Sequence, residues 1–137
     1  MDLSFIIIDD SELDCFIAEK LIRHTGKCLT ISSFTAAKEA WNFVREDSRK
    51  MSETTTVILL DILMPVMSGF DFLERFEALP EENRRKYIVI AITSSLNKKD
   101  TSAIKTYPSV IGVIDKPIQT DLLTEILKKN SISWPEA

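Results

Sequence analysis

Two stretches of this chain consist only of large apolar side chains: Phe5-Ile6-Ile7-Ile8 and Val57-Ile58-Leu59-Leu60. A run that is apolar at every position belongs to a strand covered on both faces, as in parallel sheets flanked by helices. Each run breaks off at carboxylates, the first at Asp9-Asp10 and the second at Asp61. A carboxylate is costly at the edge of so buried a segment unless something compensates it. Strands that end this way are read as placing their carboxylates in a site.

Strand and helix patterns alternate along the rest of the chain. Residues 3–9 form the first predicted strand. From Ser11, a suitable N-cap, Leu13, Ile17 and Leu21 recur at helical spacing, widened by Ala18 and Ile22, and Gly26 is a stop signal. Cys28–Phe34 is the most polar predicted strand and suits a sheet edge. Thr35 is expected to cap a helix over 36–46 whose inner face is Ala37, Ala40, Trp41 and Val44. Thr56–Asp61 is the third strand. Ser68-Gly69 opens a helix carrying Phe70, Leu73 and Phe76 that ends near Pro80, and 81–86 reads as a loop or ragged turn. Strands over 87–92 and 110–114 flank a short helix over 97–106. Thr120–Lys129 is the last helix, with Leu122, Leu123, Ile126 and Leu127 expected to face inward. Five strand–helix units imply an α/β fold: a doubly wound, five-stranded parallel sheet in the order 2-1-3-4-5. Residues 1–130 are read as one domain and 131–137 as a C-terminal tail.

Composition narrows the function classes. Seventeen basic against 21 acidic residues give a formal net charge of −4, and the short clusters Arg84-Arg85-Lys86 and Lys98-Lys99 are not the footprint of a nucleic-acid binder. No segment approaches the about 20 apolar residues of a membrane span, and no signal peptide is discernible. Cys15 and Cys28 have neither metal-ligand nor redox spacing and are read as free thiols of a cytoplasmic protein. His24, the lone histidine, is expected at the surface near a helix end.

In doubly wound sheets ligands bind outside the carboxyl ends of the strands. Those ends carry Asp9-Asp10, Asp61, Thr93 and, just past the fifth strand, Lys116. Three carboxylates together invite a hard cation, and Mg2+ suits one or two carboxylates plus phosphate oxygens. Lys116 adds positive charge and Thr93 a hydroxyl. Such a set fits phosphoryl transfer, where catalysis is mostly positioning and charge neutralisation. Asp61, central among the strands, is the candidate nucleophile.

These residues bring a family into view. The chain resembles, over roughly residues 3–129, the receiver domain of bacterial two-component response regulators, with a flavodoxin-like fold. The resemblance rests on Asp9-Asp10, on Asp61 with Met64-Pro65 and Ser68-Gly69, on Thr93-Ser94, and on Lys116-Pro117. It implies that Asp61 accepts a phosphoryl group from a phosphohistidine on a histidine kinase or histidine phosphotransfer protein. It implies that Asp10, Asp61, Asp9 through water, and the backbone carbonyl of Leu63 bind Mg2+. Lys116 would pair with Asp61 and then with the phosphoryl oxygens, Thr93 would move to the phosphoryl group, and the Lys116–Pro117 peptide would be cis. Phe16, off the helix's inner stripe, and Pro117 are expected to dock the partner. The chain reads as a stand-alone switch, a monomer or weak homodimer, whose output to an unidentified downstream protein passes through protein contacts at 110–129 and the preceding helix. Its chemistry would be self-phosphorylation and self-dephosphorylation only.

Three positions qualify the resemblance. Val113 occupies a place that is aromatic in many receivers, which shifts the expected relay onto the loop at 93–97. Leu63 and Ser95, two residues beyond Asp61 and Thr93, fall where phosphoryl lifetime is tuned, and apolar Leu63 is expected to shield the acyl phosphate. A haloacid-dehalogenase-type phosphohydrolase would need a second carboxylate at Leu63. A flavin module would need a hydroxyl- and glycine-rich loop where Asp9-Asp10-Ser11-Glu12 stands.

Overall fold

The structure, a computed structural model, describes residues 3–94 and 98–135. Its elements run β1 (Leu3–Ile8), α1 (Glu12–His24), β2 (Cys28–Phe34), α2 (Ala37–Asp47), β3 (Thr56–Asp61), α3 (Gly69–Glu77), α4 (Glu81–Arg84), β4 (Tyr87–Thr93), α5 (Lys98–Ile104), β5 (Val110–Asp115) and α6 (Thr120–Lys129). All strand pairs are parallel and the order is β2-β1-β3-β4-β5. This is the doubly wound, flavodoxin-like sheet that the sequence predicts. Among the described residues no helix is long and apolar enough to cross a membrane.

The strands alternate between two cores, and that is why their apolar runs are uninterrupted. Ile6, Ile8, Ile58, Leu60, Val89 and Ala91 face one side, under α2 and α3. Phe5, Ile7, Val57, Leu59, Ile90 and Ile92 face the other, under α1 and α6. Each fully buried aliphatic or aromatic side chain contributes roughly 1.5–3 kcal/mol, so β1 and β3 anchor both layers. β2 contains no fully buried residue and forms one edge, as expected of its polar sequence.

Several local expectations need correction. Helix α1 buries Cys15, Ala18 and Ile22; Leu13, Phe16 and Ile17 are exposed, and Leu21 is only half-buried. Residues 13–22 hold two overlapping apolar stripes, and the one with small side chains lets α1 lie close to β1, where Phe5 and Ile7 already fill the space. In α6, Leu123 and Leu127 are buried while Leu122 is exposed, so its inner face is narrower than four residues. Helix α2 is capped at Ala36 with no side-chain cap, so Thr35 does not serve there. The expected ragged turn after Pro80 is a single helical turn, α4. Asn97, the expected start of α5, lies outside the described residues.

The largest departure is at the C-terminus. Residues 131–135 have no helix or strand, but they are not a loose tail. Trp134 is fully buried, its ring 5.0 Å from that of Phe5, and its indole N–H donates to the Lys27 carbonyl. Ile132 packs against the same core, and its N–H bonds the Leu127 carbonyl. An indole with its N–H paired is at home in a core. We expect Trp134→Ala to lower the unfolding free energy by roughly 3–5 kcal/mol in a urea titration. A loss below about 1 kcal/mol would mean that the segment only rests on the surface.

Candidate functional site

Register brings the acidic groups level. In the β1–β3 pair Ile8 stands opposite Leu60, so the next residues, Asp9 and Asp61, emerge side by side. In the β3–β4 pair Asp61 aligns with Ile92, and in the β4–β5 pair Thr93 aligns with Asp115. Lys116 follows directly, its N–H donating to the Thr93 carbonyl at 2.8 Å. The Lys116–Pro117 peptide is cis.

Asp9 and Asp61 are both buried, at 3% exposure, whereas Asp10 is exposed. Carboxylate oxygens of the three lie within 4.8 Å of one another. Asp9 accepts the Ser11 N–H at 2.9 Å through Oδ1, and Asp61 accepts the Leu63 N–H at 3.1 Å through Oδ1. Both Oδ2 atoms turn to Lys116 Nζ, at 2.7 Å from Asp9 and 3.4 Å from Asp61. Asp14, on the first turn of α1, adds another oxygen at 2.8 Å. Lys116 therefore sits among three carboxylates, and they raise its pKa although burial alone would lower it.

Burial pushes the Asp61 carboxyl up to about 6, aided by Asp9 and opposed by the Leu63 N–H and Lys116. A carboxyl that titrates there is mostly ionised at neutral pH. Four carboxylates (Asp9, Asp10, Asp14, Asp61) against one ammonium, which touches three of them, leave the site strongly negative, and the donor set is all oxygen. That chemistry fits a hard divalent cation such as Mg2+, which would further favour the ionised form of Asp61. Cys15 lies beneath, its thiol donating to the Asp9 carbonyl at 3.3 Å; burial, with Asp9 nearby, raises that thiol to about 11, so it is unreactive.

The remaining predicted residues divide by position. Thr93 is buried at the end of β4. Leu63 is 44% exposed at the mouth. Val113 is half-buried against the α2–α3 core. Ser95 lies outside the described residues, as does most of the loop at 93–97. Phe16 is 56% exposed with Lys20 Nζ 5.3 Å from its ring centre, and Leu13 and Ile17 widen this into an apolar patch. Next to it a narrow groove, reaching buried Ile7, Ala18 and Ile92, is lined by Asp14, Ile17, Lys116, Pro117 and Ile118. Reasoning from sequence passed over Asp14, because an acidic residue three positions after an N-cap reads as helix capping.

The loop after Asp61 is tightly built. Val66 has φ 68°, with the Met67 N–H bonding the Pro65 carbonyl at 2.8 Å. A β-branched residue there is strained. The chain then returns so closely that a Cβ on Gly69 would lie 2.6 Å from the Asp61 carbonyl oxygen and 2.6 Å from Ile62 Cα. Both obstacles are backbone, so a side chain at 69 would push α3 away from the end of β3.

Residues 5–128 match the protein family described as the response regulator receiver domain. A response regulator receiver protein from Dyadobacter fermentans is similar at 33% identity, covering 96% of this chain and 99% of that one, with a TM-score of 0.83. A two-component response regulator from Cytophaga hutchinsonii is similar at 25% identity, covering 94% of this chain and 97% of that one, also with a TM-score of 0.83. The receiver domain of a Pseudomonas aeruginosa sensor histidine kinase shares the fold at 21% identity and a TM-score of 0.71, covering 94% of this chain and 97% of that one. That structure has a magnesium ion coordinated in its active-site cleft.

From the Gly69 contact we expect Gly69→Ala to cost roughly 1–3 kcal/mol of stability in chemical denaturation. Wild-type stability in that variant would mean that the seam between β3 and α3 is slack.

Proposed function

The chain belongs to the response regulator receiver family, and from that premise we propose that Asp61 is the phosphoacceptor of a two-component phosphorelay. The observation that carries the reading is a buried Asp61 that is level with Asp9 and 3.4 Å from the Lys116 ammonium. The donor is a phosphohistidine on a histidine kinase or histidine phosphotransfer protein. An Asp61 carboxylate oxygen forms a bond to phosphorus as the P–N bond breaks, and the departing imidazole keeps the electron pair and takes a proton from solvent. The reaction runs on positioning and charge neutralisation.

Asp9, Asp10, Asp61 and the Leu63 carbonyl are the groups that would hold Mg2+; the cation in the cleft of the Pseudomonas aeruginosa receiver supports this assignment. When bound, Mg2+ supplies positive charge that offsets the repulsion between the acidic cluster and an incoming phosphoryl group. Lys116 screens the phosphoryl oxygens from the other side. The Thr93 hydroxyl follows the phosphoryl group and draws the end of β4 toward it. Leu63, at the mouth, limits access of water to the acyl phosphate.

The same reading covers the partners. Phe16, with Leu13 and Ile17, and Pro117 across the groove form an apolar surface beside the acceptor, suited to the helices of a phosphodonor protein. Output passes to a downstream protein through α5, β5 and α6, from a cytoplasmic monomer or weak homodimer. The protein acts as a switch and not as a turnover enzyme. Residues 1–130 form the receiver domain, and Trp134 of the segment that follows completes its core.

Incubation with Mg2+ and acetyl phosphate is expected to add the mass of one phosphoryl group, absent in Asp61→Asn, and Leu63→Asn is expected to lose that group faster than wild type. Persistence of the added mass in Asp61→Asn would move the acceptor elsewhere. With a phosphohistidine donor protein, Phe16→Ala should slow transfer several-fold while leaving acetyl phosphate uptake unchanged. Equal slowing with both donors would remove Phe16 from docking.

A further inference from the structure

Asp14 is the third residue of α1, after the N-cap Ser11. An acidic side chain there ordinarily reaches back to the N-cap N–H and completes a capping box. Helix α3 does this: the Ser68 N–H donates to Asp71 Oδ2 at 3.0 Å, and the Asp71 N–H donates to Ser68 Oγ at 3.2 Å. Helix α1 has only half of the arrangement. The Asp14 N–H donates to Ser11 Oγ at 3.2 Å, but the Ser11 N–H is taken by Asp9 Oδ1 at 2.9 Å. The Asp14 carboxylate has no capping duty, and its Oδ2 lies 2.8 Å from Lys116 Nζ.

Asp14 also stands outside the acidic cluster of Asp9, Asp10 and Asp61. An ammonium has three N–H directions, and here they meet Asp9, Asp14 and Asp61 at 2.7, 2.8 and 3.4 Å. The longest contact is to Asp61. To meet a phosphoryl group on Asp61, Lys116 must loosen a shorter contact. We propose that Asp14 is a positioning residue that holds Lys116 back from Asp61 in the resting protein and so limits how readily Asp61 takes up a phosphoryl group. This inference rests on Asp61 being the phosphoacceptor. The Asp14 side chain is 37% exposed and lines the groove with Lys116 and Pro117.

The test uses the full chain with Mg2+ and acetyl phosphate. An Asp61 oxygen forms the new P–O bond while the bond from phosphorus to the acetate oxygen breaks; acetate leaves with the electron pair, and no proton is needed. In Asp14→Asn, uptake at low donor concentration should rise roughly two- to fivefold, the scale of a partly exposed ion pair. The half-saturating donor concentration should fall, while Asp14→Glu stays near wild type. A role confined to starting α1 would not move the half-saturating concentration. Uptake in Asp14→Asn that is unchanged or slower overturns the proposal. Crystal structures without donor give a second readout: Lys116 Nζ should lie within about 3 Å of Asp61 in Asp14→Asn, and an unmoved ammonium overturns the proposal. Should the wild type take no phosphoryl group from any donor, the phosphoacceptor reading fails, and the position of Lys116 still decides whether Asp14 holds it.

Discussion

The in-register pairing of β1 with β3 is the constraint on which the rest of the molecule depends. Both strands are buried on both faces, so neither can slip by one residue without sending each side chain to the opposite core. Ile8 opposite Leu60 is therefore a fixed point, and with it the emergence of Asp9 and Asp61 at one level. The site's carboxylates are placed by hydrophobic packing. Their mutual repulsion is tolerated because the sheet leaves them nowhere else to go.

Crowding carboxylates at one level creates an electrostatic problem, to which one ammonium is a partial answer. Lys116 reaches the carboxylates because its backbone is tied to Thr93 at the neighbouring strand end. The lysine proposed to screen the phosphoryl group and the hydroxyl proposed to sense it are thereby linked through a single backbone hydrogen bond. With Val113 in place of a larger ring, the half-buried interior of β5 has no bulky side chain to rotate.

Legibility in the sequence tracked the strength of the local signal. Uninterrupted apolar runs identified β1 and β3, and the carboxylates beyond them identified the site, because both facts are local in sequence. The inner face of α1 was not legible: two apolar stripes overlap in residues 13–22, and only the proximity of Phe5 and Ile7 chooses between them. Thr35 had the right chemistry for a cap, but the helix starts one residue later than that role requires. The bond between Asp14 and Lys116 spans 102 residues and shows no pattern at either end. Trp134 shares with Ile132 a segment, Ser131-Ile132-Ser133-Trp134-Pro135, too short for periodicity to be read.

Trp134 also orders events during synthesis. Its ring lies on Phe5, so a side chain of the first strand waits for one made well after it. The layer under α2 and α3 draws its last side chains, Val110 and Val113, from β5. The layer under α1 stays unsealed until α6 and the indole have emerged. For that interval Phe5, Ile7 and Ile22 lack the cover that Leu123, Leu127 and Trp134 give them in the folded chain.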